Sequence, residues 1–324
     1  MTDNSQTDTP FNDNPMTERV EIVDVAPRDG FQAVVPWIPT ETKVSVVEGL
    51  LDAGFRRIET GAFVSPKAIP QMADTADIHA TVATPEGARL CALVPNMTGV
   101  RRALEAGIKD LVYVFSVTES HNQGNVRRPV ADSLAELEQV IELGRDEEGF
   151  LLRVNVATAF DCPFEGRVPT EAVMSCLDRV TQSAFPMEIG LCDTTGRAFP
   201  DQVANLFDRV QRAYDGAGCT WAFHGHDTFG LGVSNALYAF QAGVRVFDAA
   251  AAGLGGCPFA PGATGNTASE DLVFTFENMG VETGIDLDRL LKVAEDIAEL
   301  PQAATGGHLR LVPRGRALAD RPAA

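Results

Sequence analysis

His224-Gly225-His226-Asp227 closes the short apolar run WAFHGH. Side chains two apart on a strand point to the same side, so the two imidazoles converge. The chain has five histidines, and a pair at this spacing favours a metal site over two core residues. Two imidazoles need further ligands. The first apolar run ends in Pro27-Arg28-Asp29-Gly30-Phe31-Gln32, where Asp29 can offer a carboxylate oxygen. Arg28 beside it carries the fixed positive charge that stabilises an oxyanion. Alone, RDG would be an ordinary turn held by an ion pair; the HxH motif changes its weight. A third stretch, Gly253-Leu254-Gly255-Gly256-Cys257-Pro258 running on to Gly265-Asn266, has no periodicity. It suggests a flap with Cys257 at its tip, and a phosphate cradle is the competing reading. No GxxxxGK[ST] loop is present, so nucleotide triphosphate binding has no support.

Such residues need rigid elements behind them. Short β-branched runs occur at 20–25, 56–60, 90–94, 111–116, 151–157, 187–193, 221–226 and 246–251, eight in all. Helical patterns follow, with apolar residues three and four apart, as in ETKVSVVEGLLDAG and DSLAELEQVIELGRDE. Eight strand-helix repeats predict an α/β fold, a closed (β/α)8 TIM barrel, with a doubly wound open sheet as the alternative. Asp29, Glu59, Asn155, Asp193, His224 and His226 then fall at or just beyond the C-terminal ends of strands, where barrel enzymes build their sites. The expected organisation is a disordered leader over 1–18, one catalytic domain over 19–302 and a mobile tail over 303–324. The leader has almost no apolar content to repay its ordering entropy.

Composition narrows the function further. The 324 residues carry a formal charge of −19, which argues against nucleic acid or an anionic membrane as partner. No apolar run reaches the roughly 20 residues needed to span a bilayer. The six cysteines show neither CxxC pairs nor framework spacing, so a reducing, cytoplasmic setting is expected.

The segments 24–32 (DVAPRDGFQ), 58–67 (IETGAFVSPK), 224–230 (HGHDTFG) and the Cys257 loop through Asn266 resemble the 3-hydroxy-3-methylglutaryl-CoA lyases. The resemblance runs in order from about residue 20 to 300. It implies a metal-dependent carbon-carbon lyase that acts on a small-molecule acyl-CoA, with acetyl-CoA and acetoacetate as the family's products. It further implies Mg2+ or Mn2+ held by Asp29, His224, His226 and the amide oxygen of Asn266. By the same likeness Arg28 stabilises a thioester enolate, Cys257 is a flap acid/base, and Glu59 and Asp193 order the site. Gln32, Ala62, Asn155, Thr194 and Arg197 would surround the acyl group, and the chain would form a homo-oligomer, a dimer or tetramer. An anionic coenzyme A ester needs a local basic patch on so acidic a chain, and Arg101, Arg102, Lys109, Arg127 and Arg128 are candidates for it.

The sequence departs from that family around the acyl group. Asn155 stands where tyrosine is usual, Ala62 where serine is common and Phe31 where leucine is common, and Arg197 enters the loop after Asp193. These departures spare the proposed metal ligands, so the acyl group is less fixed than the reaction. A condensing synthase of the same superfamily shares RDGxQ and HxH, but such synthases resemble a shorter glycine loop without cysteine. A silent metal-binding module would need neither Arg28 nor a flap.

Overall fold

The computed structural model describes residues 18–256 and 265–319. Eight parallel strands close on themselves: β1 (Glu21–Asp24), β2 (Arg57–Ala62), β3 (Arg89–Val94), β4 (Asp110–Ser116), β5 (Leu151–Ala157), β6 (Met187–Asp193), β7 (Cys219–Gly225) and β8 (Val246–Ala249). Each pairs with its sequence neighbours, and β8 pairs with β1 through Asp24 and Ala249, which excludes the open-sheet alternative. The fold is therefore a (β/α)8 TIM barrel. Every expected strand lies within two residues of its observed bounds.

Both faces of such a sheet are buried, for different purposes. On β5, Val154 and Val156 are fully buried between sheet and helices, while Arg153 and Asn155 alternate with them on the barrel interior. Inside, Arg57 bonds to Glu188 and Glu21, and Arg153 bonds to Asp248 and lies 3.2 Å from Glu188. This ladder of charges fills the barrel where aliphatic side chains usually do. Outside, helix Leu287–Ala298 buries Leu287, Leu290, Leu291, Ala294 and Ile297, the three-and-four spacing expected of a helix on a sheet.

Two features were not expected. A hairpin pairs Asp161–Cys162 with Gly166–Arg167 after β5, and two helices instead of one, Glu119–Val126 and Val130–Asp146, connect β4 to β5. The described part of the tail, 303–319, has anchors of its own. The Asp271 carboxylate receives the backbone N–H of His308 and of Leu309, both at 2.8 Å, and Leu309 and Ala317 are buried. Gly306 donates to the Ala252 carbonyl at 2.9 Å, and Gly255 donates to that of Ala304 at 3.2 Å. The anchoring acid sits on the helix Ser269–Asn278, so nothing in the tail's own composition signals the docking. No described helix is long and apolar enough to cross a membrane.

Candidate metal and active site

Strand β1 runs into one wide turn over Ala26–Gly30, in which the Val25 carbonyl accepts from Arg28, Asp29 and Gly30 N–H at 3.1, 2.8 and 3.3 Å. Turns of this π type are frequent at functional sites because they re-aim consecutive side chains. Gly30 is required here, since a Cβ would stand 2.8 Å from the Leu254 side chain. The turn presents Arg28 and Asp29 together over the barrel mouth. The Arg28 guanidinium is clamped between Asp29 and Glu59, the latter reaching it from the middle of β2 at 2.9 Å. Burial opposes the charge on Asp29, yet Arg28 holds its carboxyl well below the usual carboxylate range, helped by His226 and His224. Glu59 goes the other way: burial raises its pKa despite Arg28. Its Oε1 is buried without a hydrogen-bond partner among the described residues.

The two imidazoles converge as their spacing predicts. His224 Nε2 and His226 Nε2 lie 3.2 Å apart. The other nitrogen of each is taken: His224 Nδ1 meets the Asp248 carboxylate at 3.0 Å, and His226 Nδ1 meets the Thr194 carbonyl at 2.9 Å. A carboxylate and a carbonyl can only accept, so both Nδ1 atoms carry hydrogen and, with neutral rings, both Nε2 atoms are lone pairs facing one another. That arrangement calls for a cation. Burial opposes a proton on His226, but the Asp29 carboxylate 3.7 Å away raises its pKa.

Asp29, His224 and His226 offer ligand atoms within 4.8 Å of one another. Asn266 completes the group: its Nδ2 donates to Asp29 Oδ2 at 2.9 Å and to the Leu254 carbonyl at 3.0 Å. Its Oδ1 is left buried with no hydrogen-bond partner among the described residues, an acceptor that a cation would satisfy. Two imidazole nitrogens and two hard oxygens suit a six-coordinate divalent ion better than a closed zinc tetrahedron.

The remaining candidates are dispersed. Asp193 is fully buried and accepts the backbone N–H of Arg197 and Ala198 at 3.1 and 3.2 Å, which ties the loop after β6. Burial lifts its pKa to about 6 against the lowering effect of His226. Thr194 receives Thr158 N–H at 2.7 Å, and Ala62 N–H donates to Thr75 Oγ1 at 3.1 Å. Gln32 is exposed, Phe31 is fully buried in the core, and Arg197 lies at the rim over the Phe229 ring with its side chain 62% exposed. Cys257 lies outside the described residues.

Arg153 and Asp248 had no place in the sequence reading, yet they are the site's foundation. Asp248 receives both Nη atoms of Arg153 at 2.8 and 2.7 Å while it holds His224, and Arg153 Nε donates to Asn155 Oδ1 at 2.7 Å. The available signal was a charge inside each of two otherwise apolar strand runs. Asn155, Arg153 and Glu59 also border a void of about 10 Å3, room for one water.

A family model described as HMGL-like matches residues 19–297. The hydroxymethylglutaryl-CoA lyase YngG of Bacillus subtilis is 37% identical over 288 residues, 88% of this chain and 94% of that protein. The (R)-citramalyl-CoA lyase of Chloroflexus aurantiacus is 41% identical over 293 residues, 86% and 90% respectively. Among solved structures, an HMG-CoA lyase from Acinetobacter baumannii in complex with coenzyme A and 3-methylmalate superposes with a TM-score of 0.87 at 36% identity, covering 95% of this chain and all of that one.

Proposed function

This chain belongs to the HMGL-like family and is a metal-dependent carbon-carbon lyase of coenzyme A thioesters; from that premise we propose that it cleaves a 3-hydroxyacyl-CoA other than the methylglutaryl ester. The observation that carries the chemistry is the convergence of Asp29, His224, His226 and Asn266 beside a clamped arginine. These four would hold the ion, Mg2+ or Mn2+. When bound, it supplies Lewis-acid polarisation of the substrate's 3-hydroxyl.

The protein's own groups do the rest. A base takes the hydroxyl proton, the C2–C3 bond breaks as C3 becomes a carbonyl, and the electron pair moves onto the thioester as an enolate. Arg28, fixed by Asp29 and Glu59 before substrate arrives, meets that developing charge without reorganising. Cys257, on the glycine loop, is the proposed acid that returns a proton to C2. Asp193 keeps the loop bearing Thr194 and Arg197 in place. Gln32, Ala62 and Asn155 are proposed to meet the acyl portion.

Support for a different acyl group comes from Asn155 and Ala62, and from a relative at 41% identity named for the citramalyl ester. Cytoplasmic residence fits the described cysteines, all free, and assembly as a dimer or tetramer is carried over from the family resemblance. To test the reading, the purified protein with Mg2+ is offered a panel of 3-hydroxyacyl-CoA esters and the products are identified by mass. We expect an ester with an altered C3 substituent to have the highest kcat/KM. A wide preference for the methylglutaryl ester over every analogue would return the chain to the ordinary family activity.

A further inference from the structure

Thr158, the first residue after β5, holds a φ of 54° and is fully buried. A β-branched residue in the left-handed region is an outlier, because its Cβ crowds the backbone carbonyl. Such a conformation persists only where the surroundings impose it, and it concentrates at functional sites. The impositions here are specific. The Thr158 hydroxyl donates to the Ala157 carbonyl at 2.7 Å and accepts the Thr118 N–H, from the loop after β4, at 3.4 Å. So anchored, the residue extends its own N–H sideways to the loop after β6, where it donates to Thr194 Oγ1 at 2.7 Å. Thr194 hands that hold on, since its carbonyl accepts from His226 Nδ1 at 2.9 Å. One residue after β6 thereby joins the end of β5 to the end of β7, the two strands that flank it. Asp193 ties the far side of the same loop through the N–H groups of Arg197 and Ala198.

We propose that Thr158 is a positioning residue for the metal ligand His226 and acts through Thr194. Its strained backbone, pinned by its own hydroxyl, keeps the Thr194 carbonyl on His226 Nδ1, which holds the hydrogen there and leaves the Nε2 lone pair for the ion. This rests on the reading above, in which His226 is a ligand. Without the hydroxyl anchors the backbone relaxes toward negative φ, and the N–H leaves Thr194 as it does so.

Thr158→Val and Thr158→Ser provide the test. Valine keeps the shape and the strain but loses the hydroxyl; serine keeps the hydroxyl. Mn2+ affinity is measured by electron paramagnetic resonance on the metal-free proteins, whose melting temperatures check folding. Outer partners of a ligand account for about 10- to 100-fold in affinity, and Thr158 stands one bond further out, so Thr158→Val should lose about 3- to 10-fold. Thr158→Ser should bind as the parent does. Because the defect lies in filling the site, saturating Mn2+ should return the turnover of Thr158→Val toward that of the parent. If Thr158→Val does not fold, Thr158→Ala, which is smaller and also lacks the hydroxyl, carries the same comparison. Parental affinity in the variant without the hydroxyl would overturn the inference, as would an equal loss in Thr158→Ser, which would mark a packing role. A parent protein that binds no Mn2+ would overturn the ligand reading, and the inference with it.

Discussion

Two imidazole nitrogens 3.2 Å apart, each with its lone pair turned toward the other, hold that pose because Asp248 and the Thr194 carbonyl hold the opposite ring edges. Asp248→Asn keeps the shape but loosens the pairing to Arg153 and to His224. Groups in this outer position typically account for about 10- to 100-fold in metal affinity, so a Mn2+ titration of the variant should show a loss of that order. Unchanged affinity would mean that His224 is oriented by something else. Arg28 differs, since its charge is proposed to act on the transition state. Arg28→Lys keeps the charge but loses the planar fork clamped by Asp29 and Glu59, and kcat should fall roughly 100- to 1,000-fold with KM little changed. Near-normal turnover would remove Arg28 from the mechanism. The proposed ligands could be picked out of the sequence because HxH and RDG are local patterns. Arg153 and Asp248 could not, because they lie 95 residues apart and only the closed barrel brings them together.

The elements were legible for a related reason: strands buried on both faces read as β-branched runs, and eight of them alternate with helical spacing. The joint between β1 and the helix Ser269–Asn278 was not, since it is made of acids buried in mid-chain. Asp24 accepts from Ser269 Oγ at 2.7 Å and from Ala251 N–H at 2.9 Å, and Glu270 accepts from Ala252 N–H at 3.0 Å. Burial pushes the Asp24 carboxyl up to about 7 and that of Glu270 to about 8. Both groups therefore keep a proton in the folded state that the unfolded chain releases at ordinary carboxylate pH. Their contribution to stability is complete below that range and is lost as pH rises toward about 8. Glu270→Gln keeps an acceptor for Ala252 but does not titrate. Its urea midpoint should fall less between pH 5 and pH 8 than that of the parent, and an identical fall in both proteins would show that Glu270 ionises freely.

At the scale of the whole molecule, the proposed ion site draws on three chain segments: the turn after β1 with Asp29, the end of β7 with His224 and His226, and Asn266 beyond β8. A ligand that binds only the folded state and bridges such distant segments must stabilise the barrel as a unit. Excess EDTA should abolish turnover, and Mn2+ or Mg2+ should both restore it and raise the melting temperature in proportion to the logarithm of free metal. Full activity in EDTA, or a melting point indifferent to metal, would contradict the ligand set. The last piece of this frame comes from outside the barrel. Residues 304–306 bond to Ala252 and Gly255, and Gly306 lies so close to Gly253 that a Cβ there would meet its backbone at 3.1 Å. Leu254, between them, is the residue whose carbonyl holds the Asn266 amide. All eight strands precede this strap in the chain, so the ring and the brace of the Leu254 segment come from separate stretches of sequence. A chain cut at residue 302 would thus keep every strand of the ring and lose the Ala304 and Gly306 contacts that brace the Leu254 segment.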